Sequence, residues 1–227
     1  MKPKMAIVCD WLVSRGGAER VILAMAEMFQ GAPIYTTIFN EKKLPEFQGR
    51  KIVTSFLQNM PFAKVKHALY LPLMPYAVEQ FDLSEFDIVI SSSHSCAKGI
   101  ITKPETLHTC YCLTPTRYLW VIDPSQNYHH FGQLEPLASP LKRPLLSFLR
   151  LWDQVAKTRP DAYISISSLV QNRVKRIYGY DSKIVKDDAV FRPESKGLPK
   201  KAFGLIDFPS LISHQTKTRI REIGVWL

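Results

Sequence analysis

Three short runs carry residue types able to do chemistry. The first, Asp10 to Arg20, holds the paired glycines Gly16 and Gly17 ahead of a helical pattern. Paired glycines let a backbone approach a phosphate closely, and a helix N-terminus adds free N–H groups and a positive dipole end. The same pair could simply close a tight strand-to-helix turn. It is not the dinucleotide fingerprint, which needs a third glycine at another spacing. The second run, Ser91 to Gly99, gathers hydroxyls, the imidazole of His94 and the ammonium of Lys98 behind an apolar stretch. That set could hydrogen-bond a polyol or a phosphate, or serine could merely cap a helix with His94 as an incidental polar residue. The third run is Cys110 to Trp120. Pro115 bends the chain, Arg117 could clamp a phosphate, and Tyr118 and Trp120 could stack on a sugar ring. Core packing is the commoner fate of such aromatics.

Strands ending where helices begin would position these runs. Met5 to Trp11 reads as a buried strand, and Ala18 to Phe29 has helical spacing at Val21, Ile22, Met25, Ala26 and Phe29. Ile34 to Phe39 reads as a second strand, and Ile52 to Leu57 as a weaker one. The spacing predicts a short amphipathic helix over Phe62 to Leu71, carrying Lys64, Lys66 and His67. Asp87 to Ile90 is a strand closed by Ser91-Ser92-Ser93, and Thr109 to Cys112 is another. A helix over Pro144 to Thr158, a strand over Ala162 to Ser167 and a helix over Leu169 to Tyr178 follow, the last stopped by Gly179. Such alternation predicts an α/β class, a Rossmann-like parallel sheet with helices on both faces. From Lys186 the periodicity breaks at Pro193, Pro199 and Pro209, so residues 186–227 read as an irregular tail, with a short helix around Gln215 to Ile223.

Bulk properties bound the function. The chain has 227 residues, 46% apolar and 22% charged, which suits a globular domain with a real core. No apolar run approaches the ~20 residues of a membrane span. The stretch Met5 to Cys9, closed by Asp10, is too short for a signal peptide, so a cytoplasmic chain is expected. The net charge of +10 favours anionic partners. The basic residues are scattered with no nucleic-acid signature, so no nucleic-acid partner is expected. The four cysteines, Cys9, Cys96, Cys110 and Cys112, fit neither a disulfide framework nor a zinc site. Cys9, Cys110 and Cys112 fall in apolar strand-like runs, so they read as small buried hydrophobes; the alternative, a metal site of His108, Cys110 and Cys112, lacks an apparent fourth ligand.

The ordered set is more specific than its parts. Gly-Gly-Ala-Glu-Arg (16–20), Ser-Ser-Ser-His followed by Ala-Lys-Gly (91–99), and Cys-Tyr-Cys, Thr-Pro and Arg-Tyr-Leu-Trp (110–120) resemble the acceptor-side domain of GT-B glycosyltransferases of family 4. Tyr70 to Pro75, Phe81 to Ser84 and Tyr163 to Gly179 fit as well, so the resemblance covers residues 5 to about 185. It implies residues 1–185 as one half of a two-domain enzyme that transfers a sugar with retention, usually from a GDP- or UDP-linked donor. The nucleotide sugar is a substrate, and no metal or other cofactor is implied. Gly16 and Gly17 would lie near the donor diphosphate or the acceptor. His94, Lys98, Thr114, Arg117 and Tyr118 would face the cleft. The acceptor would be a glycan or lipid-linked, with peripheral contact at the inner membrane face. The stretch Lys64 to Leu73 could touch anionic lipid there, although a solvated helix face is the simpler reading.

Two departures stand out. Leu113 occupies the position at which relatives carry a histidine that contacts the reacting sugar, and leucine neither donates a hydrogen bond nor moves a proton. The relatives' linker, donor-binding domain and glutamate pair have no counterpart after Val185, where only Glu194 and Glu222 occur. The expectation is a truncated acceptor-side domain, weakly active or inactive alone, with an exposed apolar interdomain face that promotes self-association. The alternatives are one half of a split transferase completed by a donor-domain chain, and a non-catalytic acceptor- or membrane-binding module.

Overall fold

The computed structural model describes residues 3–120 and 135–185. The expected tail, 186–227, lies outside the described residues. In chain order the elements are β1 (Met5–Cys9), α1 (Gly17–Met28), β2 (Ile34–Thr36), β3 (Ile52–Thr54), α2 (Met74–Glu79), β4 (Ile88–Ser93) and β5 (Leu107–Cys112). These are followed by α3 (Arg117–Trp120), α4 (Glu135–Ala156), β6 (Ala162–Ser165), α5 (Ser168–Tyr178) and β7 (Lys183–Ile184). The strands form one seven-stranded sheet in the order β3-β2-β1-β4-β5-β6-β7, and every pairing is parallel. This is an α/β, Rossmann-like arrangement. The chain starts at the centre, builds outward through β2 and β3, then crosses back to lay β4 on the other side of β1. Such a reversal is a topological switch point, and open α/β sheets bind ligands beyond the carboxyl ends of the strands that flank it, here β1 and β4.

Side-chain alternation explains why both faces are covered. In β1, Ile7 and Cys9 enter a core with Val21, Ile22 and Met25 of α1. Ala6 and Val8 point the other way, into a core with Met74, Ala77 and Val78 of α2. A strand buried on both sides reads as a continuous apolar run, which is what parallel sheets require. All four cysteines are buried and free. The α5 ends are set locally: the Ser167 hydroxyl accepts from the Val170 N–H, and Gly179 closes the helix at φ 80°, a left-handed geometry that favours glycine.

Three local expectations change. The stretch 62–71 is not a helix: Phe62 takes φ 58°, which breaks helical continuity, and a 3-10 segment runs over His67–Leu73 before α2 begins. Pro75, at the start of α2, fixes that later beginning because its missing N–H is harmless in a first turn. Ser91 to Ser93 do not close β4 but complete it, fully buried between β1 and β5. The Ser91 hydroxyl meets His108 Nε2 at 2.8 Å, while the buried hydroxyls of Ser92 and Ser93 have no partner among the described residues. The runs 34–39 and 52–57 give three-residue strands. Phe39 keeps only a bridge to Leu12, and Phe56–Asn59 coils into a 3-10 turn capped by the Ser55 hydroxyl.

One glycine is fixed by packing. A Cβ on Gly99 would stand 2.4 Å from the Trp152 ring and 3.2 Å from Ala156. Trp152 is itself held by its indole N–H donating to Glu79 at 2.8 Å. Gly99→Ala is therefore expected to cost about 1–3 kcal/mol, read as a lowered urea midpoint at unchanged slope. No change in midpoint would show that the ring moves freely.

Candidate functional site

The site begins with Asp10, the residue immediately after β1. Its carboxylate is buried and accepts four backbone N–H groups from the turn after β4. His94 and Ser95 donate to Oδ2 at 2.7 and 3.0 Å, and Cys96 and Ala97 to Oδ1 at 2.7 and 2.6 Å. Successive N–H groups converging in this way make an anion-binding concavity, and here the chain fills it with its own carboxylate. Thr37, just after β2, fastens the Asp10 backbone carbonyl with both its N–H and its hydroxyl. Burial alone would raise the Asp10 pKa. The charge and hydrogen bond of His94 and the backbone N–H groups outweigh it, and the carboxyl falls to about 2.

His94 is the second member. Its Nδ1 lies 2.9 Å from Asp10 Oδ2, and its side chain remains 29% exposed. Its ring meets Trp11 edge-on, centroids 4.6 Å apart, and Trp11 in turn packs on His67 at 5.0 Å. Burial works against charge on His94, but the Asp10 carboxylate prevails and raises its pKa. With Nδ1 committed to Asp10, Nε2 is the nitrogen left for a ligand. It is a donor to an anion when protonated and a proton acceptor when neutral.

The glycine turn supplies the third wall. Gly16 caps α1 in an ordinary extended conformation, and Gly17 is the first helical residue. What Gly16 provides is close approach, since a Cβ there would stand 2.8 Å from Glu19 Oε2. The Glu19 carboxylate thus sits back over the first turn of α1, where an anion is favoured. Burial raises its pKa, against the lowering effects of its own backbone N–H and of His94. The helix end expected to meet a diphosphate carries an internal carboxylate, so an anionic ligand there would have to displace Glu19. Ser92 lies close by in β4, paired with Cys9, and its buried hydroxyl has no partner among the described residues.

Lys98 is placed differently. Its ammonium is 2% exposed and turned inward, donating to Asp153 Oδ1 at 2.5 Å and to the Ser95 carbonyl at 2.6 Å. Thr116, Trp120 and Tyr178 complete the cluster. The Thr116 hydroxyl lies 2.8 Å from Asp153 Oδ1, and the Trp120 indole N–H and the Tyr178 hydroxyl lie 2.6 and 3.0 Å from Oδ2. Burial opposes the Lys98 charge, but Asp153 overrides it and the pKa rises well above the usual lysine value.

The loop after β5 adjoins both groups. Leu113 is half-buried against the α1 core and donates its N–H to the Ser93 carbonyl at 2.9 Å. The Thr114 hydroxyl is 3.1 Å from the Pro115 carbonyl, and Arg117 is exposed at the start of α3. Tyr118 shares a 2.7 Å hydroxyl contact with Ser95, and burial raises its pKa. Tyr118 and Trp120 are therefore built into the scaffold by their polar ends. The residues that the motifs did not single out are Asp10, Glu19, Thr116, Asp153 and Tyr178.

No protein-family model matches this chain, and no curated protein matches it. The geometry therefore carries the functional argument. It offers an imidazole whose Nε2 has no hydrogen-bond partner among the described residues, a glycine turn and a buried hydroxyl at the carboxyl ends of β1 and β4. Among the described residues no group of three or more His, Cys, Asp or Glu side chains is arranged to hold a metal ion, and His108 Nε2 is engaged by Ser91. A separate groove of about 640 Å³ lies against β2 and β3, lined by residues including Tyr35, Ser55, Phe56, Tyr76 and Glu85. It shares no residue with the Asp10–His94 site.

Proposed function

We propose that this chain is the acceptor-side, Rossmann-like domain of a GT-B glycosyltransferase resembling family 4, handling a glycan or lipid-linked acceptor opposite a GDP- or UDP-sugar. The observation that carries the reading is the Asp10–His94 pair at the carboxyl ends of β1 and β4. In an open α/β sheet that switch point is where ligands bind. An imidazole with Nδ1 held by a carboxylate is fixed in one tautomer and orientation, and its charge is supported. His94 protonated at Nε2 would hydrogen-bond a diphosphate oxygen, and His94 neutral would accept from a sugar hydroxyl. Gly16 and Gly17 would allow a ligand to approach the backbone once Glu19 is displaced from the first turn of α1. Leu113 removes one hydrogen-bonding group from the loop after β5, so the transfer step would rely more on His94 and on a donor-binding half.

Calorimetric titration with GDP- and UDP-sugars, free GDP and UDP, and short oligosaccharide acceptors tests the reading, with a radiolabelled transfer assay beside it. Saturable binding of at least one of these, weakened about tenfold or more in His94→Ala, is the expected result. Absence of saturable binding for every ligand, or binding indifferent to His94, would remove the support that the pair gives.

A further inference from the structure

We infer that the groove between β3 and α2 takes an extended basic peptide segment, which adds to the free edge of β3. Among the described residues β3 ends the sheet and pairs only with β2. The Lys51 carbonyl accepts from the Ile34 N–H at 2.9 Å, and the Ser55 N–H donates to the Thr36 carbonyl at 3.2 Å. Alternate residues of a strand face the same neighbour, so Lys51, Val53 and Ser55 serve β2. Ile52 and Thr54 therefore turn their backbone N–H and carbonyl groups outward, and neither finds a partner there among the described residues. An edge of this kind is a template for another strand.

The groove runs along that edge. Its volume is about 640 Å³, and Val53, Thr54 and Ser55 line it in succession, with Tyr76 and Ala77 of α2 across from them. Neighbouring strand residues face opposite ways, so the groove reaches the margin of the strand and not one face alone. The free edge is short, so the groove must supply most of the affinity. Phe56 and Tyr76 meet edge-on at 5.7 Å, and both are exposed. Tyr35 and Phe81 form a second aromatic pair at 5.4 Å. The charged residues of the lining are Asp82 and Glu85, with no lysine or arginine, in a chain of net charge +10. Burial, reinforced by the charges of Glu85 and Asp82, raises the Tyr35 pKa, so both carboxylates are felt inside the groove. Glu85 also holds Lys4 at 3.4 Å, but both side chains are more than half exposed. Such a pair is weak enough for an incoming cation to replace it. Aromatic rings beside carboxylates suit an ammonium or guanidinium group on an apolar stem. The positive charge carried elsewhere on the chain repels the same peptide and so confines it to the groove. Binding here is independent of the Asp10–His94 site, with which the groove shares no residue.

Fluorescence anisotropy with a fluorescein-labelled hexapeptide of alternating lysine and valine tests the inference on the full chain. Saturable binding is expected, weakening as salt rises. The matching glutamate–valine peptide should not bind. The lysine–valine peptide N-methylated at every residue keeps its charge but donates no backbone N–H, and it should lose about tenfold or more in affinity. Asp82→Asn/Glu85→Gln should lose a similar factor, and Tyr76→Ser about threefold or more. All three residues are exposed, so these variants should keep the wild-type urea midpoint. Glu41→Gln/Asp181→Asn removes two exposed carboxylates outside the groove and should leave binding intact. The inference is overturned by no saturable binding, by equal binding of the glutamate peptide, by indifference to Asp82 and Glu85 or to Tyr76, or by an equal loss in the Glu41 and Asp181 control. Undiminished binding of the N-methylated peptide would leave a cation site without strand addition and would also overturn it.

Discussion

Asp153→Ala should destabilise the protein by about 3–5 kcal/mol, the range for removing one partner of a buried ion pair. Asp153 is the acceptor for Lys98, Thr116, Trp120 and Tyr178. Without it the Lys98 ammonium remains buried and uncompensated, and the Trp120 and Tyr178 donors lose their acceptor. Lys98→Met should cost less, because the carboxylate keeps its three neutral donors. Lys98→Met combined with Asp153→Leu should recover part of the loss, since two matched apolar side chains leave neither charge stranded. Urea midpoints at equal slope measure all three. A loss below about 1 kcal/mol in Asp153→Ala would mean that water reaches the pair. The effect should extend beyond α4, because Lys98 also donates to the carbonyl of Ser95, in the turn that wraps Asp10.

The sheet was legible because its signal is local. Apolar runs such as Ile88–Ile90 mark buried parallel strands whatever else the chain does, and α5 carries its own start at Ser167 and stop at Gly179. The helix expected over 62–71 failed because its apolar spacing is shared by an irregular surface segment, and the decisive features are Phe62 at positive φ and the proline at the start of α2. The site was legible only in part. His94 and the glycine turn carry recognisable chemistry, but a single aspartate ending a strand has no local signature. Asp10 acquires its role from N–H groups 84 to 87 residues away. Lys98 looked equally available from its residue type, and only Asp153, 55 residues later, turns it into a buried anchor. Local pattern fixes elements, whereas the pairing of charges across elements depends on the finished topology.

Asp10→Asn should alter both stability and the charge of His94. An amide oxygen can accept only part of what the carboxylate accepts, and the amide nitrogen would face backbone N–H groups donor to donor. A cost of about 3–5 kcal/mol is expected. The pH dependence separates this from a packing defect. The Asp10 carboxyl is depressed to about 2 in the folded protein, against about 3.9 when unfolded. Its contribution is therefore present above about pH 4 and disappears as the pH falls toward 2. The His94 pKa is raised. Its contribution is full below the unfolded value of about 6.5 and is lost as the pH rises through the higher folded value. The two shifts describe one interaction seen from its two ends, so they are not added. In Asp10→Asn both limbs of the stability profile should flatten. The His94 pKa should also drop below its wild-type value, because burial is then opposed only by the lesser pull of Glu19. A nuclear magnetic resonance titration of the His94 ring proton reads this directly. An unchanged titration would show that Asp10 orients the backbone turn without governing the imidazole. A lowered one would make Asp10 the residue that supports the charge of His94, and any ligand affinity that depends on that charge should move to lower pH with it.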